Sequence, residues 1–477
     1  MKTKVEVHNK GRNKKTDIES FLGAIENFIA DVSNQKVKSS IMQYCGLLRN
    51  EFLIYGNPED EDPKGIKDTF IETLKLGKLA FVLGAGISMS PPFNLPNWSQ
   101  LLKYAVIDEF LSSYEVGGDI KFNNIYNILV EESGSDSKDY FGSFDLYELG
   151  EFLENCRRDA NRQDYGSSSI EIERKTDYEM YGFVERALKR KLKSVEANDS
   201  PWVVADTGRL MLKKNLDQLQ EEKKIVEAPL IDYLSSLTQS QKIKRIITYN
   251  YDNAFEYLCQ ENNISVKSVF VDDQLPDAEI NGQEEHVVYH IHGFVPIFNE
   301  CNAVSFDDID RRKKSNEVRK LILSEGSYDD MAHASYKWRN TVQIDTFLRY
   351  NCLFFGFSAT DINFKRIVKL MDWHTEYAVS GGSTESPVKH FIFMTADDFI
   401  KNIFGKKWLT IKSNKKIMFK KHQLHEQNLD DLDAKLKLLY FTLRLKRKYL
   451  RRMHLYPIWM TIHGSRQYVE NMFQIES

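Results

Sequence analysis

The spacing of hydrophobic positions changes several times along the chain. Ile18, Phe21, Leu22, Ile25, Phe28 and Ile29 recur every three or four residues behind Asp17, a candidate cap. Ile41, Cys45, Leu48 and Phe52 repeat the pattern. Residues 16–55 therefore predict two helices. G-N-P-E-D-E-D-P-K-G, residues 56–65, breaks the chain with two prolines, two glycines and four acids. An unbroken apolar run, Leu79 to Leu83, follows. It is too short for a helix and reads as a strand buried on both faces. After Gly84-Ala85-Gly86, helical spacing returns at Trp98, Leu101, Leu102, Ala105 and Val106.

Residues 111–240 are mostly polar with helical periodicity, interrupted at E-S-G-S-D-S-K-D and Y-G-S-S-S. Leu146, Leu149, Phe152 and Leu153 share one helix face, and Tyr181, Val184, Leu188 and Leu192 share another. Strand patterns resume at 243–249, 286–291, 352–357 and 388–393, the last after S-G-G-S-T-E-S-P. Apolar strands separated by helix-length segments predict class α/β: a doubly wound, mostly parallel, Rossmann-like sheet. A large helical insertion (111–240) and helical N- and C-terminal additions complete it. The expected organisation is 1–65 as a helical extension, 66–400 as the sheet domain, and 401–477 as a helical, basic extension. In that tail Leu429, Leu432, Leu436, Leu439 and Leu443 mark an amphipathic helix that runs into R-L-K-R-K-Y-L-R-R, residues 444–452.

Composition narrows the classes. The apolar fraction of 42% supports a real core, and the net charge of −4 argues against wholesale nucleic-acid binding. The basic run at 444–452 is a candidate nucleic-acid contact, though not the expected primary partner; a solvated helix face explains it as well. No apolar run approaches the ~20 residues that span a bilayer, so no membrane association is expected. The basic start, M-K-T-K-V-E-V-H-N-K, is not followed by an apolar stretch as in a signal peptide. Five scattered cysteines without C-x-x-C support neither a disulfide framework nor a zinc ribbon. His290, His292 and Cys301 fit no standard metal spacing. The expectation is a reduced, cytoplasmic protein without a metal.

Strand, glycine turn and helix at 79–102 form a layout that binds dinucleotides. Glycines let the backbone approach a pyrophosphate, and exposed N–H groups bind the anion. The third glycine of G-x-G-x-x-G is Met89 here, so an ordinary dehydrogenase is not indicated. Further polar motifs each follow a strand: T-Y-N-Y-D at 248–252, H-G at 292–293, and G-F-S at 356–358. In doubly wound sheets such loops converge beyond the carboxyl ends of the strands. Bland readings stand beside each candidate. Asn250 fits a turn, Asp252 and Asp361 each fit a helix cap, and His292 fits a bond to a neighbouring carbonyl. His290, two residues before His292, is read as structural. Glu325 and Tyr328, in S-E-G-S-Y, are given no role.

The order G-A-G-I-S, T-Y-N-Y-D, H-G, G-F-S resembles the sirtuin family, over roughly residues 70–395. Pro96-Asn97-Trp98 fall where that family has Pro-Asp-Phe. I-I-T-Y-N-Y-D-N-A-F-E and F-F-G-F-S-A-T-D-I-N-F are closer still to bacterial sirtuin-like defence proteins. The resemblance implies NAD as substrate. It implies catalytic roles for Asn250, His292 and Asp252, and nucleotide contacts at Gly84, Ala85, Gly86, Ser88, Asn97, Thr248, Gly356 and Ser358. The four-cysteine zinc module of deacylating sirtuins is missing, Asn97 replaces an acid, and Ser99 stands where an arginine is usual. Those departures suit the defence branch, which hydrolyses NAD to nicotinamide and ADP-ribose. Such activity has to be gated, so a homo-oligomer or a second subunit is expected. The alternatives are a regulatory subunit that binds NAD or ADP-ribose without turnover and an NAD-dependent protein deacylase.

Overall fold

In a computed structural model the central feature is a seven-stranded sheet. The residues described are 17–30, 32–53, 65–89, 93, 95–113, 146–165, 168–195, 202–204, 210–212, 230–241, 243–270, 286–298, 320–333, 337–380, 388–404, 429–460 and 465–474. Strand β1 (Leu79–Leu83) lies at the centre of the sheet, and all five of its residues are buried. The short pair β2 (Trp202–Val204) and β3 (Leu210–Leu212) is antiparallel and separate. The other sheet strands are β4 (Arg245–Thr248), β5 (Val266–Val269), β6 (His286–His290), β7 (Asn351–Phe355), β8 (His390–Thr395) and β9 (Leu455–Met460). Their order is β5-β6-β4-β1-β7-β8-β9, and the pairings β5–β6, β6–β4, β4–β1, β1–β7 and β7–β8 are parallel.

This order fixes where loops can meet. From β1 the chain lays down β4 beside it, then β5 at the sheet edge, and then returns to place β6 between β5 and β4. It then returns to the other side of β1 to lay down β7. The reversal lies between β1 and β7, the place where an open α/β sheet leaves a crevice at the carboxyl ends of its strands. Leu83 is paired with Thr248 of β4 on one side and Phe355 of β7 on the other. The glycine turn after β1 therefore emerges between the loops that follow β4 and β7.

The four later strands read from sequence are observed within two residues of their expected ends. Two others are not legible from the pattern. V-K-S-V of β5 is only four residues long, and β9 contains Pro457. A proline is tolerated in β9 because this strand lies at the sheet edge. The stretch 401–477, read as a helical extension, thus also adds a strand to the sheet.

Two compact units divide the chain. One comprises Glu72–Phe393 and Leu450–Pro457; the other comprises Met1–Ile71, Met394–Tyr449 and Ile458–Ser477. In the second unit helices Asp17–Ile29 and Gln35–Leu53 share a core with helix Leu429–Arg451. Phe21, Leu22, Ile25, Ile29, Ile41, Cys45, Leu48 and Phe52 meet Leu429, Leu432, Leu436, Leu439 and Leu443 there. Each of the positions that repeat at helical spacing in that last helix is buried. The basic run at its end is partly turned inward: Arg447 pairs with Glu51 at 2.9 Å, both nearly inaccessible to solvent.

In the first unit the described part of 111–240 is largely helical, with helices Leu146–Tyr165, Ser169–Val195 and Leu230–Ser240. Leu149 and Leu153 are buried as the pattern requires, whereas Phe152 is exposed. The break E-S-G-S-D-S-K-D and Cys301 lie outside the described residues.

Candidate active site

The glycine turn and the β7 loop make direct backbone contact. Gly84 N–H donates to the Phe355 carbonyl and Gly86 N–H to the Gly356 carbonyl, both at 2.9 Å. A Cβ on Gly84 would stand 2.5 Å from the Gly356 carbonyl oxygen, and one on Gly86 would stand 2.8 Å from its Cα. Gly356 itself has φ +62 and packs on Gly86 and Ile87. These glycines let two loops at the sheet reversal cross in contact. The amides of Gly84 and Gly86 donate to these carbonyls, so the turn contributes shape more than free anion-binding donors. Ala85 opens the short helix Ala85–Ser88 that follows.

Ser88 ends this helix, buried, and begins a polar chain into the β4 loop. Its hydroxyl donates to Asp252 Oδ1 at 3.0 Å and accepts from Asn250 Nδ2 at 3.0 Å. Asp252 Oδ1 also accepts the Ala254 N–H at 3.0 Å, so it does act at a helix start. Thr248 Oγ1 accepts the Asn250 N–H at 3.1 Å. The direction of this chain settles the amide orientation. With Asp252 ionised, Ser88 must spend its single proton on the carboxylate, so Asn250 can only offer Ser88 its NH₂. The Asn250 carbonyl Oδ1 then points elsewhere, and it is buried without a hydrogen-bond partner. An orphaned buried acceptor of this kind costs ~1–3 kcal/mol unless a ligand or water fills it.

Burial raises the Asp252 carboxyl to about 6, against the lowering effect of the Ala254 N–H and the Ser88 hydroxyl. Perturbed acids of this sort concentrate in functional sites.

His292 emerges from the adjacent strand. Thr248 and His290 are in register across β4 and β6, and Ile291 N–H donates to the Thr248 carbonyl. The next residue, Gly293, has φ +109, and a Cβ there would stand 2.6 Å from Leu321 Cδ2. The His-Gly pair is thus a steric requirement of the turn as well as a motif. Tyr249, Tyr251 and Tyr328 surround the imidazole, with ring centroids at 5.0, 6.2 and 5.4 Å. Asn253 anchors the rest of this loop, accepting from Ile297 and Phe298 N–H and donating to the Phe298 carbonyl.

Two residues with no role assigned from sequence, or only that of a cap, complete the arrangement. Asp361 Oδ2 lies 3.3 Å from His292 Nε2 and accepts the Tyr328 hydroxyl at 2.9 Å. Tyr328 Oη is itself 3.3 Å from His292 Nε2. Asp361 Oδ1 accepts the Phe364 N–H at 2.7 Å, so Asp361 also caps helix Ile362–Ser380. Burial acts to raise the Asp361 carboxyl. The hydrogen bond and charge of His292, with the Phe364 and Tyr328 donors, outweigh it and hold the pKa below the ordinary value. Burial drives the Tyr328 hydroxyl well above its usual pKa, so it stays a donor. An ionised Asp361 beside Nε2 selects the tautomer with its proton on Nε2. The lone pair of the neutral ring is then on Nδ1.

The remaining candidates are placed as follows. Asn97 heads helix Trp98–Ser113 in a reciprocal capping box: Gln100 N–H donates to Asn97 Oδ1 and Asn97 N–H to Gln100 Oε1. Ser358 is exposed beyond Gly356 and shares a hydrogen bond with Thr360. Trp98 packs against Tyr147 and Tyr328, at 4.7 and 6.1 Å between centroids. His290 points away to a buried partner, with Nε2 2.5 Å from Glu256 Oε1. Among the described residues no group of three or more His, Cys, Asp or Glu is placed to hold a metal ion, and no helix is long and apolar enough to cross a membrane.

Sequence could have flagged Asp361 and Tyr328 only weakly. Each is one polar residue near a helix start, and their convergence on His292 is a tertiary fact.

No curated protein matches the chain. A family model described as a SIR2-like domain matches residues 244–417, a span that contains Asn250, Asp252, His292, Gly356, Ser358 and Asp361 but not the glycine turn after β1. SIR2-like domains bind NAD. This match, over a sheet whose loops meet at its reversal, supports a sirtuin-like family for the chain and an NAD-related function.

Proposed function

We propose that the chain hydrolyses NAD⁺ to nicotinamide and ADP-ribose, as a gated NAD-depleting effector of bacterial anti-phage defence. The observation that carries the chemistry is the buried, unpartnered Asn250 carbonyl, held in one orientation by Ser88 and Asp252. A carbonyl so fixed accepts a hydrogen bond from a ribose hydroxyl or from the attacking water. The defence role rests on the resemblance of the T-Y-N-Y-D and G-F-S-A-T-D phrases alone.

The reaction needs little acid catalysis. Nicotinamide in NAD⁺ is cationic, so the C1′–N bond breaks with its electron pair going to a neutral leaving group. Positive charge then develops on the ribose as an oxocarbenium-like centre. The oxygen of a water bonds to C1′, and its proton passes to the imidazole of His292. Asp361 stabilises the resulting imidazolium. A positioned base contributes about 10²–10⁴-fold, or roughly 3–5 kcal/mol of barrier. Ser88 and Asp252 hold Asn250, and the crossed glycine loops provide the floor on which a pyrophosphate lies.

The test is nicotinamide release from NAD⁺ by the purified full chain, alone and with candidate triggers. Asn250→Ala and His292→Ala are expected to abolish release while the fold, read by circular dichroism, stays intact. Full turnover in both variants overturns the assignment. NAD⁺ binding without release under every condition replaces it with a regulatory binding role.

A further inference from the structure

Helix Leu146–Tyr165, in the insertion, presents Tyr147, Gly150 and Glu151 on one face. Glycine weakens a helix interior relative to alanine, and at position 150 a close approach requires it. A Cβ on Gly150 would overlap the Leu323 carbonyl oxygen and stand 2.8 Å from the carbonyl carbon and 3.1 Å from Ser324 Cα. The helix backbone therefore lies directly on the backbone of 323–324. Beside it Glu151 Oε2 accepts the Gly326 N–H at 3.2 Å, while Asn155 Nδ2 donates to the other carboxylate oxygen at 3.1 Å. Gly326 is in the first turn of helix Glu325–His333. N–H groups there lack partners within the helix, and a carboxylate complements the dipole. Tyr147 meets Tyr328 edge-on, with centroids 4.9 Å apart.

The segment clamped in this way grips His292 twice. Ile322 N–H donates to the His292 carbonyl at 2.9 Å, and Tyr328 Oη lies 3.3 Å from Nε2 while it donates to Asp361. The hydroxyl of Tyr251, whose ring faces the imidazole, donates to the Ile322 carbonyl at 2.7 Å. Between the two grips Ser324 and Ser327 fasten the chain. The N–H groups of Leu323 and Ser324 donate to Ser327 Oγ at 3.0 Å, and Ser327 N–H donates to Ser324 Oγ at 3.1 Å. Leu323, Ser324, Ser327 and Tyr328 are all buried, so the packing leaves little slack. A displacement imposed at Leu323 is therefore passed to both grips on the imidazole.

We propose that Gly150 and Glu151 are positioning residues of the candidate active site, through which the insertion fixes the place of His292. Gly150 admits its helix to the backbone of 323–324, and Glu151 pins the start of the helix that carries Tyr328. Neither side chain touches the reacting atoms. Their role deepens the NAD reading and rests on it for the kinetic readout, whereas the environment of the imidazole is readable without turnover.

The test uses the purified full chain, assayed for nicotinamide release from NAD⁺ and, in parallel, titrated by NMR at the His292 ring. Gly150→Ala is expected to lower kcat by about tenfold or more with a smaller change in KM, because small misplacements of a catalytic group cost rate steeply. Glu151→Ala should act in the same direction. Glu151→Gln, which keeps an acceptor for the Gly326 N–H, should recover most of the rate. Gly150→Ala combined with Tyr328→Phe should cost less than the product of the two separate losses, since both act on one imidazole. Phe152→Ala, on the exposed face of the same helix, should change nothing. The midpoint of the His292 titration should move in Gly150→Ala and Glu151→Ala in the direction seen for Tyr328→Phe, and stay in place in Phe152→Ala. If the unsubstituted chain releases no nicotinamide, the NAD reading fails and the titration alone decides. If Gly150→Ala does not fold, the two Glu151 variants decide. An unmoved His292 midpoint in variants with native circular dichroism, or equal losses in the alanine and glutamine variants of Glu151, overturns the proposal.

Discussion

The carboxylate of Asp361 lies 3.3 Å from Nε2 of His292, and the residue that carries it also caps the helix after β7. One side chain thereby links the start of a helix to the orientation of the candidate base. Asp361→Asn keeps an acceptor for the Phe364 N–H but removes the negative charge beside the imidazole. Nicotinamide release is expected to fall, by up to the roughly 10²–10⁴-fold that a positioned base supplies. The loss should appear in kcat more than in KM. Tyr328→Phe, which removes one donor and no charge, should cost less. An Asp361→Asn enzyme with an unchanged pH–rate profile would show that Asp361 serves only as a cap.

The two buried acids should respond to pH in opposite directions. Asp252 has a folded pKa of about 6, above its ordinary 3.8. Its stabilising contribution is therefore present below the unfolded value and lost as pH rises through about 6. A displacement of that size corresponds to an order of 2–3 kcal/mol. Asp361 is held below its ordinary value, so its contribution is present above the unfolded pKa and lost as pH falls through the folded one. Urea denaturation from pH 4 to 8 checks both. Between pH 4 and 7 the stability of Asp252→Asn relative to the unsubstituted chain should rise, and that of Asp361→Asn should not. A parallel pH dependence of the two variants contradicts the assignment.

Ser88→Ala removes the middle of the chain that orients Asn250. Asp252 loses one of its two observed donors, and the Asn250 amide is free to rotate. Activity should drop by at least about tenfold, and the site should lose about 1–3 kcal/mol of stability from polar groups left unmatched. Ser88→Thr, which keeps a hydroxyl, should recover part of the activity. Equal activity in the alanine and threonine variants would remove Ser88 from the mechanism.

Gly356→Ala should be among the most damaging glycine substitutions. Its φ of +62 disfavours a side chain, and the new Cβ would meet the Ile87 nitrogen and the backbone of Gly84 and Gly86. The expected cost is about 1–3 kcal/mol or more, with NAD⁺ affinity reduced because the crossed loops must separate. Gly46→Ala provides the contrast. Gly46 lies within helix Gln35–Leu53 with nothing within 4 Å of a Cβ, so alanine should stabilise by about 0.5–1 kcal/mol. Calorimetric melting of the two variants decides the matter.

Much of the framework follows from the order of residues alone. The period of the apolar positions marks β1, the four later strands read from it, the N-terminal helix pair and the leucine face of Leu429–Arg451. Burial on one face or two imposes those periods directly on sequence. Strand position alone leaves Asn250, Asp252 and His292 readable as turn and cap residues; the resemblance of T-Y-N-Y-D and H-G to sirtuin motifs singles them out, and parallel strands deliver their C-terminal loops to one edge. The short β5 and the proline-bearing edge strand β9 were not legible, since their pairing comes from neighbours that sequence does not name.

Which polar groups face one another is set by the folded chain and not by its order of residues. Gly84 and Gly86 proved to serve the crossing with Gly356, Asn97 a helix cap, and His290 a buried carboxylate. Asp361 and Tyr328 proved to belong with His292. Hydrogen-bond partners lie tens or hundreds of residues apart in the chain, and their choice depends on distances of a few tenths of an ångström. A linear pattern encodes which face of an element is apolar; it does not encode which distant side chain completes a polar group once water has been excluded.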